Sequence, residues 1–284
     1  MNKEITLVLL THKSKNLVEN FIKKIYGKVK ILIIDNSDDH NLKKDIELNY
    51  PLIDIYIIEN KGYGNAINFG SKFIQTEYFL ICNPDIDGIN LITLLDFVNA
   101  AKKLKNNFSV LGPRFLNANP KSHKQSKDNN GISEMKFLSG ACMFFNKKNF
   151  YNLGGFDENF FLYFEENDFC LRSHKINKNY QINFIKIKHN VGNSVITKNS
   201  QEQKKLKNLR TWHFIWSKYY YHKKHYGFLL SIIYFIPIIF RIIFRIFFSK
   251  LTNNPENLEK YKIRLNGLIN SICGKKSHKR LDEN

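Results

Sequence analysis

Three carboxylates lie within four positions of the sequence, at Glu165, Glu166 and Asp168, directly after the aromatic run Phe160–Phe164. Like charges this close raise one another's pKa when they are buried, and a raised pKa suits a carboxylate that removes a proton from a substrate. The same residues could instead form only the acidic first turn of a helix, where the helix dipole favours negative charge. The residues alone leave both interpretations open.

A second acidic pair, Asp85 and Asp87, forms a D-x-D pattern directly after the apolar run Tyr78–Cys82. Carboxylates at such a place can hold Mg²⁺ or Mn²⁺, which in turn neutralises a diphosphate. A D-x-D pattern also occurs by chance in turns, so its position at the end of a strand is the stronger argument. His189 ends another strand-like run, although a lone histidine is more often structural than a metal ligand.

Short apolar runs separated by helical patterns must position these groups. Runs of this kind predict strands buried on both faces, and their alternation with helices predicts an α/β fold with a mostly parallel sheet flanked by helices. The predicted strands are 5–10, 29–34, 54–58, 78–82 and 180–187, and the predicted helices are 15–26, 65–75 and 165–175. In such sheets ligands bind beyond the carboxyl ends of the strands.

Polar residues follow each of the first four predicted strands, and together they predict a lined pocket. The four sets are 11–12, 35–37, 60–65 and 83–87. Asp35 could also simply cap the helix that follows it, and Gly62 and Gly64 could simply permit a turn. The loop lacks the glycine patterns of dinucleotide and P-loop sites, which argues against those two classes.

These blocks together resemble the family 2 inverting glycosyltransferases, in particular the bacterial rhamnosyltransferase-like and galactofuranosyltransferase-like members. The matching segments are 8–16, 33–39, 59–70, 79–86, 137–145, 153–172 and 189–194. They occur in the family's order and cover roughly residues 4–195. The resemblance implies a GT-A-type fold, that of nucleotide-diphospho-sugar transferases.

The resemblance also implies a donor site and a metal site. The residues it places along the nucleotide-sugar are Thr11, Asp35, Asn36, Asn60, Gly64, Asn65, Asn83 and Asp85. Asp85 is the implied ligand of Mn²⁺ or Mg²⁺, and His189 matches a histidine that completes the metal site in some members. Asp87 lies beyond the usual motif and is a further candidate ligand.

For catalysis, the resemblance places Glu166 at the second carboxylate of a Glu-Asp-x-Asp pattern, where the family has its general base. This chain has Glu instead of Asp there, which leaves Glu165 as an alternative base and Asp168 as the last carboxylate of the group. The implied reaction inverts the anomeric carbon without a covalent intermediate.

The expected donor is dTDP-rhamnose, or otherwise a UDP-sugar carrying galactofuranose, a hexose or an N-acetylhexosamine. The expected acceptor is a glycan or lipid-linked glycan of bacterial surface polysaccharide synthesis, such as O-antigen, capsule or cell wall. A non-catalytic carbohydrate- or lipid-binding scaffold is the alternative from another class. Intact Asp85, Glu166 and His189 argue against that alternative.

The positive charge of the chain is concentrated near its C-terminus. The 284 residues include 44 Lys+Arg and 25 Asp+Glu, a net charge of +19, and 17 of the basic but only 5 of the acidic residues follow residue 200. With 43% hydrophobic residues the composition excludes a disordered chain. We therefore expect a catalytic domain over 1–200 and a basic helical extension over 201–284.

That extension has the composition of a membrane-surface segment. Both tryptophans lie in it, and the apolar run 228–240 provides about thirteen residues before Arg241, fewer than the ~20 that a spanning helix needs. An interfacial helix on an anionic membrane is therefore predicted. The alternatives are packing on protein, including a homodimer contact, and single-stranded nucleic acid, which no RNA-binding module supports.

The expected location is cytoplasmic, at the inner face of the cell membrane. The cysteines, Cys82, Cys142, Cys170 and Cys273, show no CxxC spacing and predict reduced, mostly buried thiols. The apolar run near the N-terminus has only six residues before polar ones follow, so we expect no signal peptide.

Overall fold

The computed structural model describes residues 2–118, 124–190, 195 and 199–281. The strands within this part are β1 (Asn2–Thr11), β2 (Val29–Asp35), β3 (Ile53–Ile57), β4 (Tyr78–Cys82), β5 (Ile86–Asp87), β6 (Val110–Phe115), β7 (Ile132–Glu134), β8 (Cys142–Asn146) and β9 (Asn179–His189). The helices are α1 (Lys15–Ile22), α2 (His40–Asn49), α3 (Tyr63–Ser71), α4 (Leu91–Lys103), α5 (Lys147–Asn152), α6 (Glu165–His174), α7 (Ser200–Tyr226), α8 (Phe228–Leu251) and α9 (Pro255–Ile272).

The strands form a mixed sheet in the order β3-β2-β1-β4-β8-β6-β9-β5, with β7 also paired to β9. The pairs among β3, β2, β1 and β4 are parallel, so the carboxyl ends of these strands meet at one edge. Beyond β4 the sheet is mixed: β8 is antiparallel to both neighbours, β6 and β9 are parallel, and β5 and β7 are antiparallel to β9. The predicted α/β fold is confirmed.

Helices cover both faces of this sheet because its strands are apolar on both sides. In β1, Leu7 and Leu9 point into one core and Val8 into the other, as the two-residue period of a strand requires. The first core takes buried side chains from α1, α2 and α4, and the second from α3, α5 and α6. Fully burying one such side chain stabilises the fold by about 1.5–3 kcal/mol. Cys82, Cys142 and Cys170 are buried and Cys273 is exposed, all as free thiols.

The chain divides into two compact units. The first consists of Met1–Asp157 and Glu165–Ile196, and the second of Glu158–Phe164 and Thr197–Asn284. The short segment Glu158–Phe164 thus groups with the C-terminal helices, which a boundary at residue 200 does not anticipate.

Helices α7, α8 and α9 build the second unit around a core that contains Ile215, Phe235 and Leu268. Helix α8 is 24 residues long and continues past Arg241, so it is longer than the apolar run 228–240 suggested. Its length and composition would suffice to cross a membrane. Arg241 and Arg245 lie within the helix and do not end it, so the helix is longer than the thirteen apolar residues counted from the sequence.

The C-terminal segment of the second unit packs on α7 through His213, which is fully buried. Its Nε2 lies 2.8 Å from the Lys279 carbonyl oxygen and its Nδ1 2.9 Å from Ser277 Oγ. Burial is the main cause that lowers the pKa of His213 to about 4; the bond to the Lys279 carbonyl opposes this shift, and the positive charges of Arg280, His278 and Lys279 contribute to it. His213 is therefore neutral in the folded protein at neutral pH.

Candidate active site

Four of the predicted donor-site residues meet where β1, β2 and β3 end. Thr11 and Asp35 are register partners, and the Asn36 backbone N–H donates to the Thr11 carbonyl at 3.2 Å. The Asn36 side-chain amide then donates to Asn60 Oδ1, also at 3.2 Å. The structure thus brings Thr11, Asp35, Asn36 and Asn60 together at one edge of the sheet.

The carboxylate of Asp35 accepts hydrogen bonds from neighbouring residues of the chain. Its Oδ2 accepts from the backbone N–H groups of Ser37 and Asp39, and its Oδ1 accepts from Ser37 Oγ at 2.7 Å. Asp35 is also fully buried. These contacts favour the interpretation that Asp35 shapes the turn before α2, whose N-cap is Asp39.

The hydroxyl of Thr11 is also engaged by the chain, because it lies 2.6 Å from Ser14 Oγ. His12, which belongs to the predicted pocket set 11–12, places its Nδ1 3.0 Å from Asn36 Oδ1. At this edge Asn36 is buried, and the half-buried polar side chains are those of His12 and Asn60.

Two positions of the next loop require glycine, for different physical reasons. Gly62 has φ 106° at the N-cap of α3, a conformation that favours glycine. Gly64 is required by close packing, because a Cβ there would lie 2.9 Å from Phe156 Cβ. Asn65 lies half-buried in the first turn of α3. Asn68, one turn later and not singled out from the sequence, fixes Phe156 by bonding both its backbone N–H and its carbonyl.

Asp85 and His189 lie side by side, as predicted for a metal site. The pairing of β5 with β9 sets Ile86 opposite His189, and His189 Nε2 lies 3.3 Å from Asp85 Oδ1. The Asp85 side chain is 1% exposed, and neither of its oxygens has a hydrogen-bond donor in the described part of the chain. A buried carboxylate without donors is costly, and a bound cation would offset that cost.

These two side chains fit a divalent ion whose remaining ligands come from outside the protein. Among the described residues no group of three His, Cys, Asp or Glu side chains could hold a metal. Mg²⁺ is typically bound by one or two carboxylates together with water and substrate phosphates, so a two-residue site is chemically adequate. Residues 191–194 of the matching segment after His189 lie outside the described residues.

Two other residues of this segment are placed differently. Asp87 is not brought to the Asp85–His189 pair: its carboxylate accepts from Lys24 Nζ at 3.0 Å, and its side chain is 59% exposed. Asn83 is half-buried, and its backbone N–H donates to the Ala141 carbonyl at 3.0 Å. Asp87 therefore has the contacts of a surface ion pair.

The carboxylates of α6 have unequal surroundings. Glu165 is buried, and burial followed by the negative charge of Glu166 raises its pKa well above the usual range. The neutral form of Glu165 is therefore favoured, and Glu165 holds its proton more firmly than an exposed glutamate does. Glu166 is less buried and lies against Gly140, where a Cβ would be 3.3 Å from Glu166 Cβ. Of the two, Glu166 has the surroundings of a base.

Asp168 lies in a buried ion pair with Arg172. It is fully buried, and its Oδ2 accepts from Arg172 Nε at 2.8 Å. Arg172 also donates to the carbonyls of Leu153 and Gly155, at 2.5 and 2.6 Å. These contacts favour a structural role for Asp168 in place of the catalytic one predicted for it.

Tyr63, which belongs to the predicted pocket set 60–65 but was given no role of its own, joins the parts of the site. Its hydroxyl donates to the Gly140 carbonyl at 2.6 Å. Burial, and then the charges of Glu165 and Glu166, raise the pKa of Tyr63 well above its ordinary value. Since Ala141 accepts from Asn83, the turn at 139–141 connects α3, the end of β4 and the start of α6. In the sequence, the signal for Tyr63 was its place as an aromatic residue within a polar loop.

The two residues before α6 have unusual backbone conformations. Tyr163 and Phe164 both have a positive φ, which places them in the left-handed region that residues other than glycine rarely adopt. Such conformations cost of the order of 1–3 kcal/mol each and persist only where the surroundings hold them. Both rings contact Phe214 at a centroid distance of 5.6 Å, which provides that support within the second unit.

No protein-family model matches the chain. Among curated proteins it is similar to the low-salt glycan biosynthesis hexosyltransferase Agl10 of Haloferax volcanii, with 24% identity in an alignment over 204 residues that covers 63% of this chain. The aligned part spans 64% of that relative's length.

Two solved structures have a similar fold. The mannosyltransferase PcManGT from Pyrobaculum calidifontis, in complex with GDP-Man and Mn²⁺, has a TM-score of 0.56 and 13% identity, covering 97% of this chain and 89% of its own. S. aureus TarS 1–349, in complex with UDP-GlcNAc, has a TM-score of 0.53 and 13% identity, covering 96% of this chain and 92% of its own. These likenesses confirm the GT-A-type fold.

Proposed function

We propose that the chain is an inverting glycosyltransferase that moves a sugar from a nucleotide-sugar donor to a hydroxyl of a glycan or lipid-linked acceptor. The observation that carries this proposal is the pair Asp85 and His189, a buried carboxylate without hydrogen-bond donors beside an imidazole. It lies after β4, where α/β sheets bind ligands. The sequence resemblance to family 2 glycosyltransferases and the similarity to a hexosyltransferase support the proposal.

In this proposal Asp85 and His189 hold Mn²⁺ or Mg²⁺, and the bound ion supplies charge stabilisation for the leaving diphosphate. The side-chain amides of Asn36, Asn60 and Asn65 provide donors and acceptors for the nucleotide. Thr11 and Asp35 set the shape of the edge through their own hydrogen bonds. Asn83 is held close to the turn at 139–141 by its bond to Ala141.

Glu166 acts as the general base. The acceptor oxygen forms a bond to the anomeric carbon, its proton passes to a carboxylate oxygen of Glu166, and the diphosphate leaves with the electron pair of the broken bond. Because attack occurs from the face opposite the leaving group, the configuration inverts. Burial raises the pKa of Glu165, as does the charge of Glu166, which disfavours a second negative charge beside Glu166.

Glu166→Gln tests the base, because it preserves size and removes basicity. We expect kcat to fall by about 10²–10⁴-fold while nucleotide binding is retained. Glu47→Gln, which removes an exposed carboxylate of α2 paired with Lys43, is the matched control and should leave kcat unchanged. Near wild-type transfer by Glu166→Gln would refute the assignment.

Asp85→Ala tests the metal site by two readouts. We expect loss of transfer and also loss of Mn²⁺ binding, measured by titration calorimetry in the presence of a nucleoside diphosphate. Asp87→Ala is the control, because Asp87 is exposed and paired with Lys24. Equal Mn²⁺ binding by Asp85→Ala and the wild type would contradict the proposed site.

For the donor, dTDP-rhamnose is our first candidate because the Asn83-Pro84-Asp85 form resembles rhamnosyl and galactofuranosyl enzymes. A UDP-sugar is the second, and the acceptor belongs to bacterial surface polysaccharide synthesis. A thermal-shift panel of dTDP, UDP, GDP and CDP with Mn²⁺ distinguishes these candidates. Greater stabilisation by dTDP supports rhamnose, and a preference for UDP or GDP overturns it.

We also propose that the second unit attaches the enzyme peripherally to the cytoplasmic face of the cell membrane. One side of α8 presents large apolar residues to solvent: Leu229, Leu230, Ile233, Ile236, Phe240, Ile243, Phe244, Phe247, Phe248 and Leu251. We call this set the apolar stripe. Exposed apolar surface of this extent marks an interaction site. Vesicle flotation of the full chain should detect binding, whereas a concentration-dependent dimer without flotation would favour the homodimer contact.

A further inference from the structure

One face of helix α7 contacts every residue of the segment 160–164, which directly precedes α6. The other contacting residues of α7 lie three or four positions from Ser217, so they share a face of the helix with it. The contacts, in chain order, are Phe160 with Tyr220 (ring centroids 4.9 Å apart), Phe161 with His213 (4.6 Å), the Leu162 carbonyl with Ser217 Oγ (2.9 Å), Tyr163 with Phe214 (5.6 Å) and Phe164 with Phe214 (5.6 Å). The conformation of this segment is therefore set within the second unit.

Two local features make the start of α6 depend on such contacts. Tyr163 and Phe164 have φ of 68° and 70°, and residues other than glycine keep this conformation only where their surroundings hold it. Phe164, the residue before the first residue of α6, has no side-chain oxygen that could accept from the first N–H groups of the helix, as an N-cap residue commonly does. Contacts from α7 therefore hold the backbone that leads into α6.

Phe214 is the residue of α7 that contacts both strained positions. Its ring lies against Tyr163 edge-on, with an interplanar angle of 72°, and against Phe164 at 59°. The side chain of Phe214 is 43% exposed, whereas the next residue, Ile215, is buried in the core of the second unit. Phe214 therefore contributes more to the conformation of the segment before α6 than to that core.

We propose that Phe214 is a positioning residue for sugar transfer, because it holds Tyr163 and Phe164 in the conformation from which α6 presents Glu166. Glu166 follows Phe164 by two residues, so a change in the backbone dihedral angles of Phe164 moves Glu166. A general base has to lie within hydrogen-bond reach of the proton that it accepts, and a displacement of ~1 Å can cost about 10²-fold in rate. The proposal rests on the proposed role of Glu166 and adds that a residue of the second unit determines its position.

Phe214→Ala tests this role in the full chain, in transfer to a soluble acceptor. We expect kcat to fall by about 10–100-fold and the KM for the donor to stay within about twofold, because the residues assigned to the donor lie in the first unit. Phe214→Tyr keeps the ring and should have a near wild-type kcat. Tyr226→Ala is the matched control: Tyr226 is also on α7, is 46% exposed and has its ring against His222 and His225 of the same helix, so its removal should leave kcat unchanged.

A double variant separates positioning of the base from a general effect on the enzyme. If Phe214 acts through Glu166, Phe214→Ala should cause little further loss of kcat in Glu166→Gln, because the base is already absent there. Losses that multiply in the double variant would overturn the proposal, as would an unchanged kcat in Phe214→Ala with a wild-type Tm. Should Phe214→Ala not fold, Ser217→Ala takes its place in the same cycle: it removes only the donor to the Leu162 carbonyl and should lower kcat by about fivefold.

Amide hydrogen exchange separates failure of this inference from failure of the proposed function, because it does not depend on activity. Peptides covering 158–170 should exchange faster in Phe214→Ala than in wild type, whereas peptides of β1 should exchange equally in both. Equal exchange over 158–170 would overturn the inference even in an active enzyme. Faster exchange in a protein that transfers no sugar would uphold the contact of Phe214 with the segment before α6 and contradict the enzymatic proposal. Vesicle binding should be unchanged in Phe214→Ala, because Phe214 lies on α7, outside the apolar stripe.

Discussion

Arg172→Met removes the guanidinium group that holds Asp168 and two backbone carbonyls. Asp168 is fully buried and Arg172 is its ion-pair partner at 2.8 Å, so the variant leaves a buried carboxylate without that cation. Breaking a buried pair in this way costs about 3–5 kcal/mol. Since domains are typically stable by about 5–15 kcal/mol, we expect a large fraction of the free energy of unfolding to be lost.

Lys43→Met is the matched control. Lys43 and Glu47 have the same i,i+4 spacing on a helix, but their side chains are 40% and 57% exposed and 3.7 Å apart. Exposed pairs of this kind contribute about 0–1 kcal/mol. Equilibrium unfolding in urea, with the m-value checked for each protein, compares the two variants directly. Similar, small losses for both would refute the structural role of the Asp168–Arg172 pair.

The same pair decides between two roles for Asp168. If Asp168 is structural, Asp168→Asn lowers stability but keeps a near wild-type kcat at temperatures where it is folded. The double variant Asp168→Asn/Arg172→Met should then be more stable than Arg172→Met alone, because no uncompensated charge remains. A large loss of kcat in Asp168→Asn with unchanged stability would return Asp168 to the catalytic group predicted from the sequence.

Three further variants probe other parts of the chain. Burial holds the pKa of His213 at about 4, below the ordinary value of 6.5, so its contribution to stability is complete above pH 6.5 and is lost as the pH falls towards 4. Over that range wild type should lose about 1.4 kcal/mol per pH unit more than His213→Gln in urea unfolding, and parallel pH profiles would contradict this. Tyr63→Phe removes the hydrogen bond to the Gly140 carbonyl beside Glu166, so it should lower kcat with a smaller change in the KM for the donor. Tyr151→Phe, which alters an exposed tyrosine, should change neither kcat nor KM. Gly267→Ala would place a Cβ 2.8 Å from the Trp212 carbonyl oxygen. Such overpacking should lower stability by about 1–3 kcal/mol, and an unchanged Tm would show that α7 and α9 can move apart without cost.

The parallel half of the sheet was predictable because each strand there is an apolar run with its own helix. β4 matches its predicted bounds, and β1, β2 and β3 differ by a few residues. Helix α2 was missed because it is mostly polar and buries only Leu42 and Ile46. Of the strands beyond β4, β9 was predicted and the others were missed; β8, for example, pairs with β4, which lies some sixty residues earlier, and no local pattern reports such a pairing.

Residue types predicted part of the site, and tertiary contacts determined the rest. Asp85 and His189 were predicted as partners from the resemblance, and the pairing of β5 with β9 places them together. Tyr63 and Arg172 were not predicted, since their roles depend on carbonyls that are distant in sequence. From the sequence, Arg172 could also be interpreted as a basic residue in the last turn of a helix, where the helix dipole favours positive charge.

Gly140 accommodates Glu166 at the position where the family that this sequence resembles has Asp. Glu166 is longer than Asp by one methylene and needs room near its own Cβ. Gly140 provides that room because it has no Cβ: a Cβ there would lie 3.3 Å from Glu166 Cβ and 3.4 Å from Glu166 Cγ. Tyr63 fixes the Gly140 carbonyl, so the space is held open by a hydrogen bond instead of by chance packing. Glu165, one position earlier, is buried, and burial followed by the charge of Glu166 raises its pKa. Two adjacent carboxylates on one helix thus have different surroundings, which is how paired carboxylates are commonly given different roles.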